Sequence, residues 1–300
     1  MLEGDGVISG NQLTVNSTGT FRIEASQAGN DNYLAATAVE LSFEVFPDME
    51  DQTISFSKIS EKVYGDVFTL DATASSNLEV SYSVLSGPAT ISNGEVTITG
   101  VGQVSINANQ AGNSTYNEAT EVTQSFTVYK ATLTVTADDQ TKIYGTQNST
   151  LNFEYDGFVN GEEASVIDTP PTATTNATEV STVGDYDITL SGGIDNHYTF
   201  NYVSGTLTIE KATLTVTAVN HTINKGDAIP NLTFEYSGFV NNEDVSVIDT
   251  PPTIGTEATV SSDAGEYDIE LSGGNDDQYE FVFENGILTI DNVTGIEANP

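Results

Sequence analysis

Cysteine is missing from all 300 residues, which excludes disulfides, zinc–thiolate sites and cysteine nucleophiles while leaving the redox compartment open. Tryptophan is missing too, so 13 Phe and 13 Tyr supply the aromatic bulk. Basic residues are scarce: seven Lys and Arg face 44 Asp and Glu, a formal net charge of −37. So acidic a surface repels phosphates and anionic headgroups, making nucleic acid and lipid surfaces poor partners. The acidity suits solubility of an exposed protein in screening salt, divalent cation binding, or adhesion to a cationic or calcium-bridged surface. No apolar run approaches the ~18 residues of a membrane helix, so no membrane insertion is expected. The opening MLEGDGVISG lacks the basic and apolar regions of a signal peptide.

What is plentiful is Thr, Ser, Asn and Gly, which favour strands and turns over helices. The organisation shows when the chain is slid along itself. A shift of 81 lays 131–211 on 212–292 without a gap, and more than half of the aligned positions are identical. ATLTVTA recurs at Ala131 and Ala212, SVIDTPPT at Ser165 and Ser246, and LSGG at Leu190 and Leu271. A second shift, of 83, puts Ile8, Val15, Ile23 and Phe43 on Ile91, Ile98, Ile106 and Phe126. The partner of 52–87 would precede Met1, so the first segment is expected to be the back half of a truncated domain from a longer parent. The expected domains are 1–47 (partial), 48–130, 131–211 and 212–292, with a tail at 293–300.

In 48–130, alternating runs at 53–57, 67–71, 79–85, 95–98, 103–109 and 125–128 predict six or seven short strands, hence an immunoglobulin-like sandwich. In 131–211, strands are expected at 132–136, 151–155, 186–190, 198–202 and 206–209. NGEEASVI at 160–167 is expected to form one or two helical turns, stopped by Pro170-Pro171. One sheet with one short helix predicts a β-grasp-like arrangement. TLTIE at 206–210 runs through Lys211 into ATLTVT with no Gly/Ser or Pro-rich linker, and the boundary at Lys130 is as abrupt. Little freedom between domains follows, and the expectation is a mostly β, elongated array of tandem small domains.

These motifs carry a resemblance. KIYGT around Tyr144-Gly145, GFVNGE at 157–162, the Gly184-Asp185-Tyr186 strand start and Ser191-Gly192-Gly193 resemble MBG repeats of the "YGX" type. Such repeats occur in large bacterial surface proteins, many from the Bacteroidetes. The second copy departs at Asn224-Lys225-Gly226-Asp227, where the tyrosine is missing, which weakens any claim of specific chemistry for it. Residues 51–129, with Val63-Tyr64-Gly65-Asp66, resemble the bacterial Ig-like units that precede such repeats. The resemblance implies an adhesin-like surface or secreted protein, extracellular and without enzymatic activity.

A search for chemistry supports that implication. The histidines are His197 and His221, and the repeat alignment puts Gln278 and Gln140 at their equivalents, so neither belongs to the domain's basic design. No nucleophile elbow, phosphate loop or distinct carboxylate dyad stands out. No cofactor is expected, with calcium the one exception considered. SGGIDNHY and SGGNDDQY place Asp195, Asp276 and Asp277 in an oxygen-rich turn, read either as calcium ligands or as side chains capping that turn. The repeated Phe153, Tyr155, Phe158, Tyr186, Tyr198 and Phe200 are read as core, the alternative being sugar-stacking platforms. DNVTGIEANP loosely resembles the spacer before a secretion sorting domain. The leading expectation is a non-catalytic stalk, monomeric within a larger chain; the alternatives are direct glycan or protein binding, or accessory domains of a secreted enzyme.

Overall fold

A computed structural model describes residues 1–292; the C-terminal spacer-like segment expected at 293–300 lies outside the described residues. The described chain is almost entirely β, and it divides into two compact units, Met1–Lys130 and Ala131–Pro300.

The second unit holds the 81-residue repeats, and each folds as two sheets. In the first repeat, Ala131–Ala137 lies between Phe153–Asp156, antiparallel, and Tyr198–Val203, parallel. A four-stranded sheet runs Gln140–Ile143, Gly205–Glu210, Gly184–Ile194, Thr169–Thr175. The second repeat repeats this order, and its register is offset by the same 81: Ala131 faces Tyr198, and Ala212 faces Tyr279. The sequence dictates the inward face. In ATLTVTA, Ala131, Leu133, Val135 and Ala137 are buried, and the intervening threonines are turned outward. Leu133, Val135, Ile188, Leu207 and Ile209 are all at or below 1% exposure. Each such side chain contributes about 1.5–3 kcal/mol by leaving water.

Two expectations change here. The helix expected over 160–167 is one 3-10 turn, Ala164–Val166, with no buried residue. Without an apolar stripe it has nothing to anchor against a sheet, so the strands close on a second sheet and the arrangement is a sandwich rather than a sheet carrying a helix. The proline pair does not merely end that turn: Pro170 and Pro171 lie in the strand Thr169–Thr175. This is an edge strand, where a missing N–H breaks no ladder.

In the first unit, residues 48–130 form a four-stranded sheet (Lys62–Val63, Val122–Tyr129, Gly102–Asn109, Ser81–Ser86) and a three-stranded one (Ala89–Ser92, Glu95–Ile98, Val67–Thr69). Phe68 of the smaller sheet meets Phe126 of the larger edge-on at 5.7 Å. Residues 1–46 supply only two hairpins, Gly6–Ser9 with Gln12–Val15 and Gly19–Ala25 with Val39–Val45. Shifted by 83, these are the last four strands of the domain that follows. Their cover is incomplete: Phe21 is buried against Phe43, but Ala25 is exposed where Ala108 is fully buried.

Candidate functional site: the joint between the two repeats

The most developed constellation in the second unit lies where the first repeat meets the second. Tyr144 follows the strand Gln140–Ile143, and its N–H donates to the carbonyl of Glu210, the last residue of the repeat's final strand. That bond fixes the Tyr144-Gly145 turn at the exit of the repeat. The Tyr144 ring, 5% exposed, meets Tyr279 of the second repeat edge to face, centroids 5.8 Å apart. Its hydroxyl donates to Glu243 Oε1 at 2.6 Å, while the Tyr279 hydroxyl donates to Glu243 Oε2 at 2.5 Å. One carboxylate thus accepts from both repeats. A hydrogen bond to a charged acceptor contributes about 1.5–3 kcal/mol.

Glycine is needed beside the tyrosine. Gly145 has φ +78°, and a Cβ there would run into the Val240 side chain. Val240 is itself held in place, its N–H donating to the Tyr279 hydroxyl at 3.0 Å. Two further bonds cross the boundary: the Val183 N–H donates to Gln278 Oε1 at 2.8 Å, and Lys211 Nζ donates to the Asp276 carbonyl at 2.5 Å. Beneath them one core is continuous, joining Ile188, Leu207 and Ile209 to Ala212, Leu214, Ile248 and Tyr279. Burial, reinforced by the bonds to Glu243, raises the hydroxyl pKa values of Tyr144 and Tyr279 above the ordinary phenol value.

The aromatic residues singled out in the sequence feed this core. Phe153, Tyr155, Tyr186 and Phe200 pack on it partly buried, and Tyr198 is 1% exposed. Contacts at 5.5–5.6 Å run Phe153–Tyr155–Phe158–Tyr198. The matching run Phe234–Tyr236–Phe239–Tyr279 ends on Tyr144. Phe153, Tyr155, Phe158 and Tyr198 thus pack edge-on or tilted against one another.

The three aspartates considered as calcium ligands separate into two roles. Asp195 and Asp276 are buried; Asp277 is exposed. Asp276 Oδ1 accepts the N–H groups of Gln278 (2.7 Å) and Tyr279 (2.9 Å), and Oδ2 accepts that of Asp249 at 3.3 Å. Asp195 does the same for His197, Tyr198 and Asp168. Both side chains cap the turn that delivers the strand carrying Tyr198 or Tyr279. Among the described residues no group of three or more His, Cys, Asp or Glu side chains is arranged to hold a metal ion. His197 and His221 are half-buried and lie in different repeats. In the first unit an open concavity of about 720 Å³, lined by Leu70, Thr73, Tyr82 and Ile91, carries one carboxylate, Glu79, and so no acid–base pair.

Sequence reasoning named Tyr144 only as a motif residue and missed Val240, Glu243 and Gln278. The signal for them was the asymmetry itself: Tyr144 becomes Lys225 in the copy whose exit makes no joint with a third repeat of the described chain.

A sandwich repeated in tandem with a Tyr-Gly turn at its exit defines a class of β repeat module. The family model "MBG domain (YGX type)" matches residues 133–208 and 214–289, together just over half of the chain. The chain belongs to that family. No curated protein sequence matches it. Among solved structures it is similar to Drosophila N-cadherin EC1-4, at 12% identity over 96% of this chain and 90% of that one, with a TM-score of 0.22. It is also similar to the Bacteroides ovatus mixed-linkage glucan utilization locus protein SGBP-B, at 14% identity over 83% and 69%, with a TM-score of 0.19. Likeness at those TM-scores carries no argument about this chain. Among the described residues no helix is long and apolar enough to cross a membrane.

Proposed function

We propose that this chain is a non-catalytic structural segment of a large bacterial cell-surface or secreted protein, in which β modules hold other parts of the parent at a distance. The supporting observation is the core shared across the 211/212 boundary, where the chain passes from one repeat to the next through the single residue Lys211. A spacer needs modules that resist bending relative to one another, and a shared core with a bridging carboxylate provides that resistance. An acidic exterior with few cations keeps such a segment soluble and discourages lateral association. Membership of a repeat family found in surface proteins supports the location, and the domain before the repeats fits a bacterial Ig-like unit.

The test is the relative motion of the repeats in the full chain. Residual dipolar couplings from 131–211 and from 212–292 are expected to fit one alignment tensor of one magnitude. Two tensors of unequal magnitude would remove the stiffness on which the spacer reading depends.

A further inference from the structure

We infer that Tyr-Gly is the element by which one repeat recognises the next, and that a repeat carrying Lys-Gly in its place cannot dock a successor in this way. The socket is formed by Val240, Glu243 and Tyr279, and its occupant is the Tyr144-Gly145 turn. The inference concerns recognition between repeats and holds whether or not the chain serves as a stalk.

Three observations carry it. First, the socket is assembled from the residues of one repeat. Val240 N–H to Tyr279 hydroxyl and Tyr279 hydroxyl to Glu243 are bonds within the second repeat. The first repeat builds the same arrangement from its own residues: Val159 N–H donates to the Tyr198 hydroxyl at 3.0 Å, and that hydroxyl donates to Glu162 at 2.6 Å. Phe158 and Phe239 support the two tyrosines in the same T-shaped geometry, at 5.5 Å and 82° in both. The socket is therefore a property of the repeat.

Second, the plug is placed identically wherever it occurs. Tyr144 N–H donates to Glu210 O and Lys225 N–H to Asp291 O, both at 2.9 Å, each beside the end of its repeat's final strand. In the domain before the repeats Tyr64 N–H donates to Tyr129 O, also at 2.9 Å, and Gly65 again has positive φ.

Third, the second repeat keeps the glycine and changes the tyrosine. Gly226 has φ +94°, so the turn survives. Lys225 lies in the exposed position instead and pairs with Asp263 at 2.7 Å. An ammonium on a flexible stem has no ring to set against a socket tyrosine, and the Asp263 partner draws it to the repeat's own surface.

Tyr144→Lys tests this in the full chain, since it gives the first repeat the residue that the second carries naturally. Native-state hydrogen exchange is read at the amides of 240–243 and 279–284. Exchange there is expected to rise at least tenfold in Tyr144→Lys, and by a smaller factor in Tyr144→Phe, which keeps the ring and loses the hydroxyl. Amides of Ala131–Ala137 on the 153–156 side report whether the first repeat remains folded. Should it not, Glu243→Gln alters the socket from the other side and is expected to raise exchange around Tyr144. Protection of the socket amides within twofold of the parent in both Tyr144→Lys and Glu243→Gln would overturn the inference.

Discussion

Tyr144 and Tyr279 come from different repeats, yet their rings meet at 89° and 5.8 Å and their hydroxyls end on the same carboxylate, that of Glu243. In this chain the Tyr-Gly turn of the first repeat therefore makes its side-chain contacts across the repeat boundary. The backbone bond to the last strand of its own repeat persists whether the residue is Tyr144 or Lys225. What changes between tyrosine and lysine is the surface offered to a neighbour.

Alkaline pH should loosen this joint. Burial first, then the bonds to Glu243, raise the Tyr144 and Tyr279 pKa values above the ordinary value of 10.0. The folded state thus favours the neutral phenols. Their contribution is complete below the unfolded value and is lost as pH climbs through the folded ones. Ionisation also removes both donors to Glu243 and leaves phenolate beside carboxylate. The melting temperature of the repeat pair in the full chain should be level between about pH 7 and 9 and fall above about pH 10. The fall should shrink in Tyr144→Phe. A calorimetric profile that is the same for the parent and Tyr144→Phe would contradict this.

Gly145 and Gly226 make a matched comparison. Both have positive φ, so alanine strains the backbone at either. Only at Gly145 does the new Cβ collide with Val240; at Gly226 nothing lies within 4 Å. Gly145→Ala should therefore cost about 1–3 kcal/mol more than Gly226→Ala, the usual range for overpacking. Urea unfolding followed by tyrosine fluorescence measures the difference, and equal costs would place the glycine requirement in the turn alone.

Much of this was legible in the sequence, and the exceptions have physical causes. Alternation in ATLTVTA gave a strand because one face is buried and the other turned outward, and in 103–109 because Val104, Ile106 and Ala108 are all buried on one face. Gln140–Ile143 and Thr169–Thr175 escaped, the first because it is short and the second because proline argues against a strand unless the strand is known to be an edge. The polar start of NGEEASVI suggested a helix, but an N-cap signal without an apolar stripe to bury supports only a turn. Glu243 was invisible because one carboxylate among 44 acidic residues carries no mark of having two tyrosine donors.

The N-terminal segment should be the least protected part of the first unit. Ile106 and Ala108 are fully buried, whereas their counterparts Ile23 and Ala25 are half-buried and exposed. Val39 and Leu41 are 68% and 58% exposed. A hairpin with one face uncovered opens at low cost. Amides of Gly19–Ala25 should exchange on the order of 100-fold faster than those of Gly102–Asn109. Equal protection would mean that the apolar face is covered in solution.

The final prediction separates a capping aspartate from a calcium ligand. Asp276 is 3% exposed and accepts three backbone N–H groups, from Gln278, Tyr279 and Asp249. Removing the carboxylate strands those donors in a buried place, so Asp276→Ala should destabilise the second repeat by on the order of 3 kcal/mol. It should also weaken the joint, because the turn it caps delivers Tyr279 to Glu243. Asp277 is exposed, and it is its backbone N–H that bonds Asp249, so Asp277→Ala should change stability by less than about 0.5 kcal/mol. If the pair instead held calcium, both substitutions would matter and the effect would require the ion. A site filled at 100 times its dissociation constant adds about 2.7 kcal/mol to the folded state. Melting the parent and both variants with calcium and with chelator distinguishes the cases. The capping role predicts the same loss for Asp276→Ala in either solution and none for Asp277→Ala. A stabilisation by calcium that vanishes in both variants would assign the turn to the cation.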